Sequence, residues 1–448
     1  MTVDLRDPSM FHQMYLLLAM LVGFLVVLGF VLTAVIALIC KFVLCKELPP
    51  KMRRAALATP LVVAVVYGMA IQMLPGIGES MLNKIYPPAP TVTLHPEAKS
   101  LHQSLLIADW HADSLMWTHR NLLERSDIGH VDLPRLIEGN VAVQGFGSVT
   151  KVPLFMSFDS NTNHTDAISL VAFCQQWPFA ALTSLAARAQ LQAARLHDLA
   201  SKSNGALRVI KYREDVVELL EKRRDNQKMV GGFLGIEGAH ALDGDFSNVD
   251  RLYEYGFRVI GPSHFFDNEL AGSAHGVERY GLTEFGKKCI RRMEELGIFV
   301  DLAHASQAVI SDVLAMATRP VVVTHGGVQG FCNTSRTLSD DQLRAIAKTG
   351  GVVGIAYFEH CTCGQTVNEI ALSIKYAIDL IGAKHVALGS DYDGSVVVPF
   401  DTTQLIQLTD ALLKLNISKE DIRLVMGEST IQLLRDYLPS RIPGAVRV

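Results

Sequence analysis

Short, almost uninterrupted apolar runs alternate along most of this chain with stretches whose apolar residues recur every three or four positions. From Leu101 onward the runs give eight strand candidates: Leu105–Asp109, Val141–Val149, Val230–Ile236, Phe257–Pro262, Ile298–Leu302, Pro320–Thr324, Gly351–Tyr357 and His385–Gly389. A strand that is apolar on both faces is one covered on both faces, as in parallel sheets. Helical periodicity fills the later gaps, over Glu278–Leu296, Ser306–Ala317, Ser339–Thr349 and Asn368–Ile381. Ser339 with Gln342 fits a capping box, and Gly297 and Gly382 suit helix stops. Strand and helix alternating at this length imply parallel βαβ units. Eight of them predict an α/β fold, a (β/α)8 TIM-like barrel. One stretch breaks the rhythm. Lys151 to Lys228 is longer than a single crossover needs and contains an Ala-, Leu- and Gln-rich helical section, Asp166–Ser201. It is expected to be an insertion beside the mouth of the barrel, and Thr402–Tyr437 reads as one or two closing helices.

The pattern before the barrel is different. Met14 to Cys40 has no charged residue, which exceeds the ~20 residues needed to cross a bilayer. It is also longer than the apolar core of a secretory signal, and no small-x-small cleavage site follows, so a retained anchor is expected. A second uncharged stretch runs from Ala55 to Leu74. Lys41, Lys46, Lys51, Arg53 and Arg54 lie between the two, with Glu47 the only acid. Basic residues in a short loop favour the cytoplasmic side. The prediction is a transmembrane helical hairpin over residues 1–74 (helices about 14–40 and 55–74), a Pro- and Gly-rich linker over 75–100 and a barrel over 101–448. The catalytic domain would then sit on the periplasmic or extracellular face of the plasma (inner) membrane, with the lipid bilayer as a partner through the N-terminal helices. If the second stretch instead lies on the interface or packs on the domain, the barrel falls in the cytoplasm.

Composition changes this picture little. The 49% hydrophobic content is high for a soluble enzyme, with the excess concentrated at the N-terminus, and the net charge is −4. No basic run lies outside the anchor loop, which excludes nucleic acid as a partner. Of the cysteines, Cys40 and Cys45 belong to the membrane end. Cys361-x-Cys363 lacks a second pair at zinc-finger spacing. One disulfide, for instance Cys332 with Cys361 or Cys363, and free buried thiols both stay open.

The chemistry lies at the ends of the apolar runs. LLIADWHAD carries His111 and Asp113, MVGGFLGIEG Glu237, GIFVDLAH His304, PVVVTH His325 and HVALGSDYD Asp391. Groups so far apart in sequence meet only if the fold gathers strand ends at one rim, and a parallel barrel does this. Such a set of imidazoles and carboxylates suits a divalent metal such as zinc. His111-x-Asp113 puts both side chains on one face of an extended segment, so both could hold one ion. Glu237 has glycine on either side, which admits close approach, and its carboxylate can bridge two ions. His304 and His325 end consecutive strands. Asp391 can take a proton from water and return it to a leaving group, with Asp393 as its rival. His264, ending RVIGPSH, could stabilise an oxyanion. Arg336 could clamp a carboxylate with its guanidinium fork.

Taken together, DWHADS, GIEGAHAL, GPSHFFDN, DLAHAS, VVVTHGG, Ser335-Arg336 and GSDYDG resemble the membrane (renal) dipeptidase family of metal-dependent amidohydrolase barrels. The resemblance runs from about Leu105 to Leu434. It implies two zinc ions, one held by His111 and Asp113 and the other by His304 and His325. Glu237 and a water or hydroxide would bridge them. It further implies Asp391 as general acid/base, His264 steadying the oxyanion, Arg336 binding the dipeptide carboxylate, and a homodimer. The chain departs from the family's animal members in ending RIPGAVRV, without a hydrophobic tail for a glycolipid anchor. It also reads Pro-Ser-His in the fourth-strand motif. The expectation is a zinc-dependent metallo-dipeptidase. Its rivals are a hydrolase of another amide or lactone (a β-lactam or an N-acyl amino acid) and a catalytically silent membrane-tethered scaffold.

Overall fold

The computed structural model describes residues 72–85 and 93–441, with isolated positions before residue 72. The expected membrane hairpin lies outside the described residues except for its last few positions. Among the described residues no helix is long and apolar enough to cross a membrane.

Eight parallel strands carry the fold: β1 (Ile107–Ala112), β2 (Val141–Phe146), β3 (Val230–Ile236), β4 (Phe257–Ile260), β5 (Phe299–Val300), β6 (Val322–Val328), β7 (Val352–Ile355) and β8 (Val386–Leu388). Hydrogen-bonded neighbours run β5-β4-β3-β2-β1-β8-β7-β6. The two ends of that order approach each other, because Asp301 bridges Val322 and Leu302 N–H donates to Val322 O at 2.8 Å. The result is a curled parallel sheet consistent with a TIM-like barrel. Its interior is filled rather than hollow. Trp110 of β1 meets Phe233 of β3 at 5.3 Å and Phe299 of β5 at 6.0 Å between ring centroids. These strands are not ladder neighbours, so the rings touch across the middle, as alternate strands do in such barrels.

Helices cover the outside where their periodicity places them. Ser339 caps Asp340–Lys348 in a reciprocal box with Gln342, and Gly297 ends Glu284–Leu296 at φ 80°. The helix expected from Glu278 begins only at Glu284, behind a Thr283 cap. The insertion departs from the single helical section predicted over Asp166–Ser201. That section forms three helices, Ala167–Cys174, Phe179–Thr183 and Leu185–Lys202, and a short strand, Leu207–Val209, and a further helix, Arg213–Asp225, complete the insertion. Gln176 at φ 55° and Pro178, the cap of the second helix, make the break.

The described residues of the stretch expected to be a linker pack on the barrel. Residues 72–82 are helical, and Lys84–Ile85 pairs in parallel with Val397–Val398. Glu79, Leu82 and Asn83 are buried. Pro and Gly in this stretch signal a flexible tether only if nothing binds it, and its partners lie far along the chain. Cys332 forms a disulfide with Cys363, leaving Cys361 as a buried thiol.

Candidate metal centre

The strand ends bring the predicted ligands together in one buried cluster. His111 lies in β1, Glu237 directly follows β3, His304 follows β5 and His325 lies within β6. The Glu237 carboxylate presents its two oxygens to different imidazoles. Oε1 lies against His111 Nε2, while Oε2 is 3.2 Å from His304 Nε2 and 2.5 Å from His264 Nε2. His304 and His325 face each other at 3.0 Å between Nε2 atoms. That is close enough for both to share an ion at ~2.0–2.1 Å from each. Asp113 sits just past the strand, as the cap of a short 3-10 turn, Ser114–Met116. The same-face argument for His111-x-Asp113 does not describe this backbone, although Asp113 Oδ1 lies 3.3 Å from His111 Nε2.

These residues fit metal ions. Their donor atoms form two groups within 4.8 Å, His111, Glu237, His325 and Asp391 in one and Glu237, His264 and His304 in the other. Glu237 is common to both, whereas Asp113 is in neither and the expected pair His304 and His325 is divided between them. His111 Nε2, Asp113 Oδ1 and Glu237 Oε1 are buried facing one another, with no hydrogen-bond partner outside this group. Such atoms are costly unless something binds them. Burial pushes His304 and His325 well below the usual imidazole range, so both stay neutral with lone pairs free to coordinate. Burial opposes the charge on Glu237, but His264 and His111 outweigh it and hold the carboxyl well below its usual range.

Groups behind the ligands hold them in place. Asp109 accepts from His111 N at 2.9 Å and from Ser390 N at 3.0 Å, tying β1 to the end of β8. Asp301 accepts from Thr324 Oγ1 at 2.6 Å, and that hydroxyl lies 3.0 Å from His325 Nδ1. Gly147 is needed for space, because a Cβ there would stand 2.3 Å from Asp113 Oδ1 and 2.6 Å from His111 Cε1. Sequence reading singled out none of these three. Asp109 and Asp301 lie in the same runs as the ligands, two and three positions ahead, and that spacing was the available signal.

Asp391 lies beyond β8, 3.9 Å from His111 Nε2, and faces the cavity. Burial above all, with the Glu237 and Asp113 carboxylates adding to it against the pull of His111, holds its pKa well above the usual carboxylate range. The rival Asp393 has another task. Its carboxylate accepts from Arg120 NH2 at 2.6 Å, Ser114 Oγ at 2.5 Å and His130 N at 2.5 Å. Burial opposes its charge, yet Arg120 and His130 hold it below the usual range. Asp391, Asp393 and Ser395 all have φ between 62° and 64°, a conformation costly for non-glycine residues unless their surroundings fix it.

Arg336 is buried, and its NH1 donates to Ala303 O while NH2 reaches His325 O at 3.5 Å. Its Nε is buried without a partner. Arg336, His264, Asp391 and the ligands Asp113, Glu237, His304 and His325 line one cavity of about 130 Å³. Several residues of the insertion, Val152, Met156, Phe158, Ile168 and Val171 among them, line it too, which agrees with the expected place of that segment.

A buried cluster of imidazoles and carboxylates at strand ends of a curled parallel sheet defines a metal-dependent enzyme of the barrel-hydrolase kind. The comparisons are more specific. The family model described as membrane dipeptidase (peptidase family M19) matches residues 95–438. The chain belongs to this family of metallo-dipeptidases. An uncharacterized dipeptidase of Schizosaccharomyces pombe is 27% identical over 322 residues, covering 68% of this chain and 71% of that protein. A metallo peptidase from Rhodobacter sphaeroides, liganded with a phosphinate mimic of L-Ala-D-Ala, is similar at TM-score 0.61 and 22% identity, covering 74% of this chain and 99% of that one. The probable dipeptidase PvdM from Pseudomonas aeruginosa is similar at TM-score 0.62 and 17% identity, covering 76% and 98%.

Proposed function

We propose that the chain hydrolyses dipeptides with two zinc ions, and that an N-terminal hairpin in the plasma membrane holds its (β/α)8 barrel outside the cytoplasm. The single observation that carries the catalytic part is Glu237, whose two oxygens face different imidazoles in the cavity where Arg336 leaves a buried donor unpaired. His111 and Asp113 would hold one ion and His304 and His325 the other, with Glu237 shared. When bound, the ions supply Lewis acidity and lower the pKa of a water. Arg336 orients the substrate through its C-terminal carboxylate. Asp391 takes the proton of the attacking water and delivers it to the leaving amine, a task suited to a carboxyl whose pKa is raised. His264, in hydrogen-bond reach of Glu237, steadies the developing oxyanion. The Cys332–Cys363 disulfide supports an oxidising compartment for the domain.

The test is hydrolysis by the detergent-solubilised full chain, wild type beside Asp391→Asn, with bound metal counted in the same samples. The panel holds free dipeptides, a C-terminally amidated dipeptide, an N-acyl amino acid and a β-lactam. The expected result is about two zincs per chain, cleavage of free dipeptides, and a ~10²–10⁴-fold loss in the variant with its metal retained. Cleavage confined to the N-acyl amino acid or the β-lactam would point to the other amide hydrolases. Absence of both metal and turnover would point to the scaffold.

A further inference from the structure

The cavity has two unlike sides. Beside Arg336 the wall is aromatic. Phe158 stacks on His360 at 4.0 Å, and Ser335 Oγ, next to Arg336, donates to Phe158 O at 3.0 Å. Leu82, Met116, Trp117, Val152, Ile168 and Val171 line the same cavity. Leu82, Met116, Trp117, Val152 and Ile168 are buried in one apolar cluster, and Val171 packs against it. The one polar atom among their side chains, Trp117 Nε1, is occupied by a bond to Asp393 O at 2.8 Å. Leu82 comes from the segment that enters the domain and Val152, Ile168 and Val171 from the insertion, so these four of the six residues lie in segments outside the strand repeat. Leu82 is fixed there by its neighbour. Asn83 Nδ2 donates to Asp393 O at 3.2 Å, and Asn83 Oδ1 accepts from Ser395 N at 2.8 Å.

A dipeptide whose carboxylate meets Arg336 and whose scissile bond lies at the imidazole and carboxylate cluster must turn its N-terminal side chain away from Arg336. We propose that this apolar wall is the subsite for the N-terminal side chain, and that it selects aliphatic or thioether side chains and rejects charged ones. The assignment rests on the dipeptidase reading. Its physical basis is asymmetric: each methylene placed on this wall leaves water, whereas a carboxylate or ammonium placed there loses its hydration and finds no partner.

The experiment measures kcat/KM of the metal-loaded, detergent-solubilised full chain on X-Ala dipeptides, with X being Leu, Met, Ala, Glu or Lys. Leu and Met should exceed Ala by at least about tenfold, since one methylene in such a pocket is worth about 10–200-fold. Glu and Lys should fall about a hundredfold or more below Leu. Leu82→Ala should narrow the preference of Leu over Ala. Val171→Ala, at a half-buried position, repeats the test should Leu82→Ala fold poorly. Robust cleavage with a flat or charge-preferring profile would overturn the subsite and leave the dipeptidase reading intact. A profile unchanged in both variants would also overturn it. Cleavage of none of these dipeptides by the metal-loaded chain would instead overturn the dipeptidase reading itself.

Discussion

Replacing Arg120 with methionine tests how the catalytic loop is held. The guanidinium is almost wholly buried and serves three partners at once. It donates to Glu79 Oε1 at 2.8 Å, to Asp393 Oδ2 at 2.6 Å and to Val131 O at 2.7 Å. Glu79 and Asp393 are themselves fully buried. Removing one partner of such a set strands the others, which costs about 3–5 kcal/mol even though methionine fills much of the space. The folded domain spans roughly 350 residues, and ~2.1 cal/mol/K per residue gives an unfolding entropy near ~0.7 kcal/mol/K. The melting temperature of Arg120→Met should therefore fall by about 4–7 °C. Adding Glu79→Gln removes one stranded charge, so the double variant should be more stable than the sum of the singles by ~0.5–3 kcal/mol. Asp393 anchors the loop in which Asp391 is held at positive φ, so kcat should fall as well while bound metal stays constant. Thermal denaturation and turnover of the metal-loaded full chain read all of this. A loss below about 1 kcal/mol in Arg120→Met, or singles that add to the double, would refute the reasoning.

The remaining predictions concern ligands, substrate and pH. Gly147→Ala forces a methyl against Asp113 and His111 and should weaken metal binding by roughly 10–100-fold in a chelator competition; unaltered affinity would mean the site yields easily. Arg336→Met should raise KM for free dipeptides by roughly 10–100-fold, since a bond to a charged group is worth ~1.5–3 kcal/mol. The amidated dipeptide should be indifferent to the change, and equal effects on both substrates would remove the carboxylate clamp. Burial lowers the His102 pKa to about 4. Below its unfolded value, near ~6.5, the unfolded chain binds a proton that the native state refuses, so stability falls from about pH 6.5 down to 4 by up to ~1.36 kcal/mol per pH unit. The stability advantage of wild type over His102→Gln should shrink across that window in denaturant titrations, and a pH-independent difference would count against it.

What the sequence made legible was whatever its local pattern encodes. Apolar runs ending in an imidazole or carboxylate located the strands to within a few residues, and gathering strand ends at one rim brought His111, Asp113, Glu237, His304 and His325 together. Caps at Ser339 and Gly297 were equally local, and so equally readable. The pairing of Cys332 with Cys363 rather than Cys361 was not, since neighbouring thiols differ only in where the turned backbone aims them. Nor was the division of labour between Asp391 and Asp393. Two positions apart and both at positive φ, they are distinguished by Arg120 and His130, which reach only Asp393.

The entering segment shows the same limit most sharply. Residues 75–85 carry a composition that, read alone, describes a tether. Each of their anchoring contacts is distant in sequence: Glu79 to Arg120 across 41 positions and Asn83 to Asp393 across 310. A buried carboxylate is tolerated there because a buried guanidinium meets it, and neither residue is interpretable without the other. These contacts put Leu82 into the cavity and brace the loop that carries Asp391. In this chain the strand ends supply the clustered imidazoles and carboxylates. The parts outside the strand repeat, the entering segment and the Lys151–Lys228 insertion, line the same cavity. Differences in what the enzyme cleaves are therefore to be sought in those two segments before they are sought in the ligand cluster.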